Sequence, residues 1–146
     1  WAISTDGDLM AFTGNYTCDV FKTGLLNGAF NFSSGSFYLA LYTNLATLNA
    51  GTTAYTTTGE ASGGNYVAGG RLLTGAAVAI NENIAYLTFN NPSWTGAITA
   101  RGALIYKAGA NGAVCVLDFG SNKTSTTTFV VQFPTANSTS AIIRLG

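Results

Sequence analysis

Two strand-like runs separated by Asn111-Gly112 constrain the fold more than any other feature of the sequence. An Asn-Gly pair can take the two positive φ angles of a type I′ turn, which joins neighbouring antiparallel strands. Residues 98–107 and 113–120 are therefore predicted to form a β-hairpin with Asn111-Gly112 as its loop.

A two-residue loop would also fix which side chains share each face of this hairpin, and it places Tyr106 opposite Leu117. One face then carries Leu104, Tyr106, Cys115, Leu117 and Phe119, and the other carries Ala103, Ile105, Lys107, Val114, Val116 and Asp118. Because both faces are largely apolar, either the domain buries both of them or a second molecule covers one.

The charge content narrows the class of partner. Charged residues make up 8% of the 146-residue chain, against about a quarter in ordinary soluble domains. Six basic and six acidic residues are scattered singly, so no basic stripe exists for phosphates and nucleic acid is not an expected partner. No apolar run approaches the ~20 residues of a membrane span, so no membrane partner is expected either. A charge-poor surface has little repulsion between copies and suits a subunit packed against others.

The N-terminal part of the chain differs from the remainder. Residues 1–18 show no sustained hydrophobic period and are interpreted as an arm, followed by one domain at 19–146. Asp19 is predicted as the N-cap of a short helix that covers about 19–29, because apolar residues follow it at helical spacing. From Ser36 the period changes to two, which predicts a first strand over 37–42.

Further strands are predicted along the second half of the chain. Residues 71–80 and 84–89 form a second hairpin around 81–83, and 126–133 and 140–145 add two more strands. Four side chains are expected in the core, namely Trp94, Phe129, Val131 and Phe133. Seven or more short strands predict an all-β fold, an antiparallel β-sandwich, with a jelly-roll-like arrangement or a small barrel as the alternative.

Residues 44–70 form a long polar stretch between two predicted strands. A loop of this length is uncommon inside a compact domain and usually serves a function. We interpret it as a candidate contact surface. The alternative is a solvated Thr- and Gly-rich excursion with one short strand around Tyr66.

Cys18 and Cys115 are the only cysteines, and their spacing fits no metal site. They are either two small buried hydrophobic residues or a disulfide that links the N-terminal segment to the hairpin.

Catalytic chemistry has little support in the sequence. The chain contains no histidine, which removes the commonest general base and the serine and cysteine triads. The carboxylates are Asp6, Asp8, Asp19, Glu60, Glu82 and Asp118. A glycosidase needs two carboxylates facing each other across a cleft, and no such pair is evident. The alternate Asp6 and Asp8 lack the remaining ligands of a calcium loop. We therefore predict no catalytic residue, no cofactor and no metal.

Six sequence blocks carry a resemblance to known proteins. They are FYLALYT at 37–43, TAYTTTGE at 53–60, GNYVAGG at 64–70, ARGALIY at 100–106, AVCVLDFG at 113–120 and VQFP at 131–134. In order and spacing, from about Asp19 to the C-terminus, they resemble a family of small virion structural proteins encoded by tailed bacteriophages.

The resemblance implies a component of the extracellular phage particle, assembled in the bacterial cytoplasm and without enzymatic activity. The first expectation is a capsid decoration (cement) protein that binds the major capsid protein or other virion proteins. A tail or fibre component, possibly a receptor- or glycan-binding module, is the alternative. We expect a homo-oligomer, a dimer or trimer, which would cover the surplus apolar face of the hairpin. Candidate partner contacts are Trp1, Ile3, Tyr16, Tyr55 and Tyr66.

Overall fold

The computed structural model describes residues 12–146 of the chain. Trp1, Ile3, Asp6 and Asp8 lie outside these residues, as does the first part of the predicted arm. The elements are β1 (Tyr16–Thr17), α1 (Asp19–Leu26), β2 (Phe37–Tyr42), β3 (Arg71–Leu72), β4 (Ala77–Asn81), β5 (Ile84–Thr88), β6 (Ser93–Thr95), β7 (Ile98–Lys107), β8 (Ala113–Ser125), β9 (Thr128–Val130) and β10 (Ile143–Leu145). The predicted all-β fold with one short helix is confirmed.

The strands form three antiparallel sheets with the orders β1-β8-β7-β2-β3, β10-β5-β4 and β6-β9. All three contribute side chains to one hydrophobic core, including Leu104 from β7, Leu87 from β5 and Trp94 from β6. The architecture is sandwich-like, and within residues 12–146 no sheet closes on itself as a barrel would. The helix α1 has eight residues, too few to cross a membrane, and this part of the chain contains no helix able to do so.

The alternation predicted for β2 is present. Phe37, Leu39 and Leu41 alternate along the strand and are buried, and Phe37 belongs to an aromatic cluster. The ring of Phe37 stacks on Phe32 with centroids 4.4 Å apart. Phe21 of α1 joins the same cluster through Phe32, at 5.9 Å. This face of the central sheet is thus covered by the helix and by the loop that follows it.

The central hairpin forms from β7 and β8, but its predicted loop is wrong, and so is its predicted register from Gly102 to the loop. The loop spans 108–112, and Tyr106 pairs with Ala113 instead of Leu117. Asn111 has a φ of +56°, whereas Gly112 does not have a positive φ, so the turn is not type I′. The Lys107 N–H donates to the Gly112 carbonyl over 2.8 Å and closes a longer loop.

The change in register alters which side chains share a face. Leu104 pairs with Val116, whereas the predicted loop placed it opposite Phe119. Over residues 102–105 the two registers differ by three residues, and an odd shift moves a side chain to the other face of the sheet. A register shift between Ile105 and Tyr106 raises the difference to four residues next to the loop, and another between Ala100 and Gly102 returns residues 98–100 to the predicted register. Sequence alternation alone did not reveal this irregularity.

The second hairpin is confirmed, and its turn has the geometry expected for the first. Glu82 and Asn83 have φ values of +51° and +66°, the pattern of a type I′ turn. Asn81 pairs with Ile84 across it. The predicted strand 71–80 is interrupted, because β3 pairs with β2 while β4 pairs with β5.

Residues 12–18 of the predicted arm pack on the domain. Phe12 and Cys18 are buried, and Tyr16 of β1 pairs with Val116 of β8. The Cys18 N–H donates to the Val114 carbonyl over 2.9 Å. Position 18 is therefore the junction between sheet and helix.

The predicted N-cap at Asp19 is wrong, because Asp19 is the first residue of α1 and Cys18 occupies the N-cap position. The helix ends at Leu26, earlier than predicted, and Gly28 follows with a φ of +77°. The side chains of Trp94, Phe129, Val131 and Phe133 are buried as predicted.

Candidate interaction surface

The segment 44–70 joins β2 to β3, and Glu60 fixes its conformation. One carboxylate oxygen accepts hydrogen bonds from the Tyr66 hydroxyl and the Gly69 N–H, both at 2.7 Å. The other oxygen accepts from the Tyr55 hydroxyl at 2.6 Å. Three donors from different parts of the segment thus converge on a single carboxylate.

Tyrosine hydroxyls also bond the segment to the central sheet. Tyr42 of β2 donates to the Thr56 carbonyl, and Tyr106 of β7 donates to the Gly69 carbonyl, each over 2.7 Å. The Tyr66 hydroxyl accepts from the Leu41 N–H of β2 at 2.9 Å while it donates to Glu60. The loop is consequently an extension of the sheet.

The same segment covers the second face of the central sheet. The ring of Tyr55 stacks on Tyr106 with centroids 4.9 Å apart, and Tyr106 stacks on Tyr38 at 5.6 Å. Burial and the nearby carboxylate make these hydroxyls weak acids: the pKa of Tyr55 and that of Tyr106 rise to about 12. Desolvation, followed by the hydrogen bond to Glu60, raises the pKa of Tyr66 further. The hydroxyls therefore stay protonated and act as donors.

This arrangement answers a question that the sequence left open. The two apolar faces of the hairpin are buried within the domain, one under the aromatic cluster and one under segment 44–70. Covering a surplus face of the hairpin is thus no longer a reason to expect an oligomer.

The predicted partner contacts have varied positions. Tyr55 and Tyr66 are half-buried and bonded to Glu60, and no strand forms around Tyr66. Tyr16 lies in β1, half-buried, with its hydroxyl 2.5 Å from Thr13 Oγ1. Cys18 and Cys115 are buried free thiols, in agreement with the first of the two interpretations.

Two large apolar side chains of the segment point into solvent, and the sequence analysis did not select them. Leu45 is 78% exposed and Val67 is 70% exposed. Leu45 precedes the buried Ala46, which packs closely against Gly59. A Cβ atom added to Gly59 would lie 2.5 Å from the Ala46 nitrogen. The Val67 carbonyl accepts from the Gly70 N–H at 2.9 Å. Both residues therefore sit on backbone that is held in place.

One sequence signal could have indicated this arrangement. Glu60 is the only charged residue between 44 and 70 and has tyrosines on both sides. A lone carboxylate in an uncharged stretch is a natural acceptor for nearby hydroxyls and amides.

The other described carboxylates have structural contacts. Asp118 pairs with Arg101 and accepts from the Gly120 N–H at 2.8 Å. Glu82 accepts from the Ser138 hydroxyl at 3.1 Å. Asp19 lies 3.2 Å from the Lys22 ammonium. Over residues 12–146 no group of three or more His, Cys, Asp or Glu side chains could hold a metal ion.

Comparison with known proteins finds no matching protein-family model, no matching curated protein and no matching solved structure. The resemblance to phage virion proteins therefore stays a prediction.

Proposed function

We propose that this protein is a non-enzymatic structural component of a bacteriophage virion, a capsid decoration protein that binds the assembled shell and stabilises it. The observation that carries the proposal is the pairing of rigidity and exposure in segment 44–70. Its backbone is fixed through Glu60, and yet it presents Leu45 and Val67 to solvent.

Such a surface suits attachment to another protein. Exposed apolar side chains on a fixed backbone lose little conformational entropy on binding, which leaves more of the burial energy for affinity. The uncharged surroundings lower the cost of desolvation when the surface is covered. Many copies on one shell would add avidity to individually weak contacts.

The blocks that carry the family resemblance also support the proposal. They include the members of the hydrogen-bond network of Glu60 and the tyrosines that holds the segment on the sheet: Tyr42, Tyr55, Glu60, Tyr66, Gly69 and Tyr106. Of the two exposed apolar residues, Val67 lies within the blocks and Leu45 lies outside them. The partner would be the major capsid protein or another virion protein.

A glycan-binding tail module is the competing function, and it would need exposed aromatic rings that can stack on sugars. Tyr55 stacks instead on Tyr106, and Tyr66 packs against Trp94 with centroids 5.7 Å apart. Because these rings pack against other rings of the domain, attachment to a protein is favoured over glycan binding.

Binding to virions that have been stripped of the protein tests the proposal. We expect the double variant Leu45→Ser, Val67→Ser to bind at least tenfold more weakly, because burial of one such side chain stabilises by about 1.5–3 kcal/mol. Leu26→Ser is the matched control, since Leu26 is 89% exposed on α1 and should bind like the wild type. Particles without the protein should keep their shape and lose resistance to heat.

Two results would overturn the proposal. One is unchanged particle binding by the double variant. The other is turnover of a polysaccharide or peptide that a single Asp or Glu substitution abolishes.

A further inference from the structure

The edges of the three sheets differ in how well they are protected against pairing with another chain. β1 and β3 have two residues each, and β6, β9 and β10 have three. β10 also carries Arg144, and the part of β8 beyond β1 carries Asp118 and Lys123. Short length and charge both discourage a further strand from adding to an edge.

The edge strand β4 lacks these protections. It is five residues long, Ala77-Val78-Ala79-Ile80-Asn81, and every residue is exposed. Val78 is 63% exposed and Ile80 is 72% exposed. The strand contains no charge and no proline, and its pairing with β5 runs without a bulge. Among the described strands no other pairs with its outer edge. A flat apolar edge of this kind is a template for strand addition.

We propose that β4 pairs antiparallel with β4 of a second copy of this chain, across a two-fold axis at Ala79. The two three-stranded sheets β10-β5-β4 would then form one continuous sheet of six strands. In this register Val78 lies opposite the partner's Ile80, and Ala77 lies opposite the partner's Asn81.

The side-chain pattern of β4 selects a second copy as its occupant. Val78 and Ile80 lie at equal distances on either side of Ala79, so a two-fold axis there forms two identical β-branched apolar pairs. A two-fold interface must be complementary to itself, and the β4 sequence meets this requirement. The chain has a formal net charge of zero, so two copies approach without electrostatic repulsion.

The face of the sheet adds to the contact. Val78 pairs with Leu87, and Leu87 pairs with Ile143, which aligns three apolar side chains across the sheet. Two residues further along β4, Ile80 pairs with Ala85 of β5, and Ala85 pairs with Leu145 of β10, which is 62% exposed. Five residues a side are few compared with the roughly 20–30 of a standard interface. The dimer should therefore depend on concentration in solution.

This inference does not depend on the proposed function. Dimerisation is measured in solution without particles, so a failure to bind virions leaves it standing. In a virion the dimer would offer two copies of segment 44–70 to the shell.

Sedimentation equilibrium over a range of concentrations is the first test. We expect a reversible dimer for the wild type and at least a tenfold weaker dimer for Ile80→Lys, because a charge at this edge opposes strand addition. Val130→Lys is the matched control: Val130 is 52% exposed on the edge strand β9, and its substitution should leave the dimer unchanged. Far-ultraviolet circular dichroism verifies that each variant is folded.

Cross-linking tests the register. In the variant Ala79→Cys the two introduced thiols face each other, so a short bismaleimide should join the chains. In Ala77→Cys they lie four residues apart along the strands, about 14 Å, and should join much less. The native thiols are buried and should not react.

A wild type that stays monomeric at the highest concentration would overturn the proposal. So would a dimer that Ile80→Lys leaves intact, or equal cross-linking at positions 79 and 77.

Discussion

Removal of the Glu60 carboxylate should destabilise the whole domain. In Glu60→Ala the hydroxyls of Tyr55 and Tyr66 and the Gly69 N–H all lose their acceptor. A hydrogen bond to a charged group contributes about 1.5–3 kcal/mol, so three give an upper bound of about 9 kcal/mol. Because water can enter the half-buried site and replace part of them, we expect a loss of about 3–5 kcal/mol. That loss is a large fraction of the roughly 5–15 kcal/mol that stabilises a typical domain.

The isosteric variant Glu60→Gln separates hydrogen bonding from packing. Its amide oxygen can still accept from Tyr66 and Gly69, while its NH₂ group can donate to the Tyr55 hydroxyl, which is also an acceptor. We therefore expect a smaller loss, about 1–2 kcal/mol. Glu82→Gln is the control, because Glu82 accepts one hydrogen bond in an exposed turn and its replacement should change stability by about 0.5 kcal/mol or less.

Urea unfolding, followed by far-ultraviolet circular dichroism and by tyrosine fluorescence, measures these differences. Coincident transitions would show that segment 44–70 unfolds with the sheet. The reasoning is refuted if Glu60→Ala lies within about 1 kcal/mol of the wild type. It is also refuted if the tyrosine signal is lost well before the sheet unfolds, because the segment would then be separable.

Three further predictions concern pH, a glycine and the thiols. Folding raises the pKa of four tyrosines above the ordinary value of about 10, so the native state keeps protons that the unfolded chain loses. The free energy of unfolding from urea titrations should thus fall above about pH 10 by up to about 1.4 kcal/mol per pH unit for each tyrosine, and the two buried thiols add a loss that begins near pH 9. Gly70 and Gly120 both have a φ of +80°, but a Cβ at Gly70 would collide with the Leu39 carbonyl while Gly120 has open space. Gly120→Ala should cost about 1 kcal/mol and Gly70→Ala at least about 2 kcal/mol more, measured by thermal unfolding, and equal losses would contradict the close approach. Burial raises the pKa of Cys18 to about 11 and that of Cys115 further, so neither thiol should react with a disulfide reagent at pH 8 until denaturant is added.

Local patterns in the sequence predicted much of the fold. The alternation over 37–42 identified β2, and the polar residues 81–83 between two apolar runs located the β4–β5 hairpin. Trp94, two residues after Pro92, is predicted to anchor a loop in the core, and it is buried there. In each case the signal lies within a few neighbouring residues.

The features that the sequence did not predict depend on contacts between distant residues. The register of β7 and β8 follows from a bulge near Tyr106 and from a loop closed by Lys107, and both override the local preference of Asn-Gly. The Glu60 cluster joins Tyr55 and Tyr66 and is bonded to β7 through Tyr106, which is 37 residues from its acceptor Gly69, and no sequence period indicates these contacts. Tyr55 and Tyr66 were predicted as partner contacts because sequence does not show where a hydroxyl finds its acceptor.

The pairing of β1 with β8 has a consequence for the order of events during synthesis. Tyr16 pairs with Val116, which lies one hundred positions later in the chain. At the usual rate of about 5–20 residues per second, the ribosome needs roughly 5–20 s to make the intervening sequence. During that interval β1 has no partner strand, and Phe12 and Cys18 lack the core that buries them in the finished domain. Until β8 emerges, residues 12–18 are therefore a site that a chaperone could hold and a protease could cut.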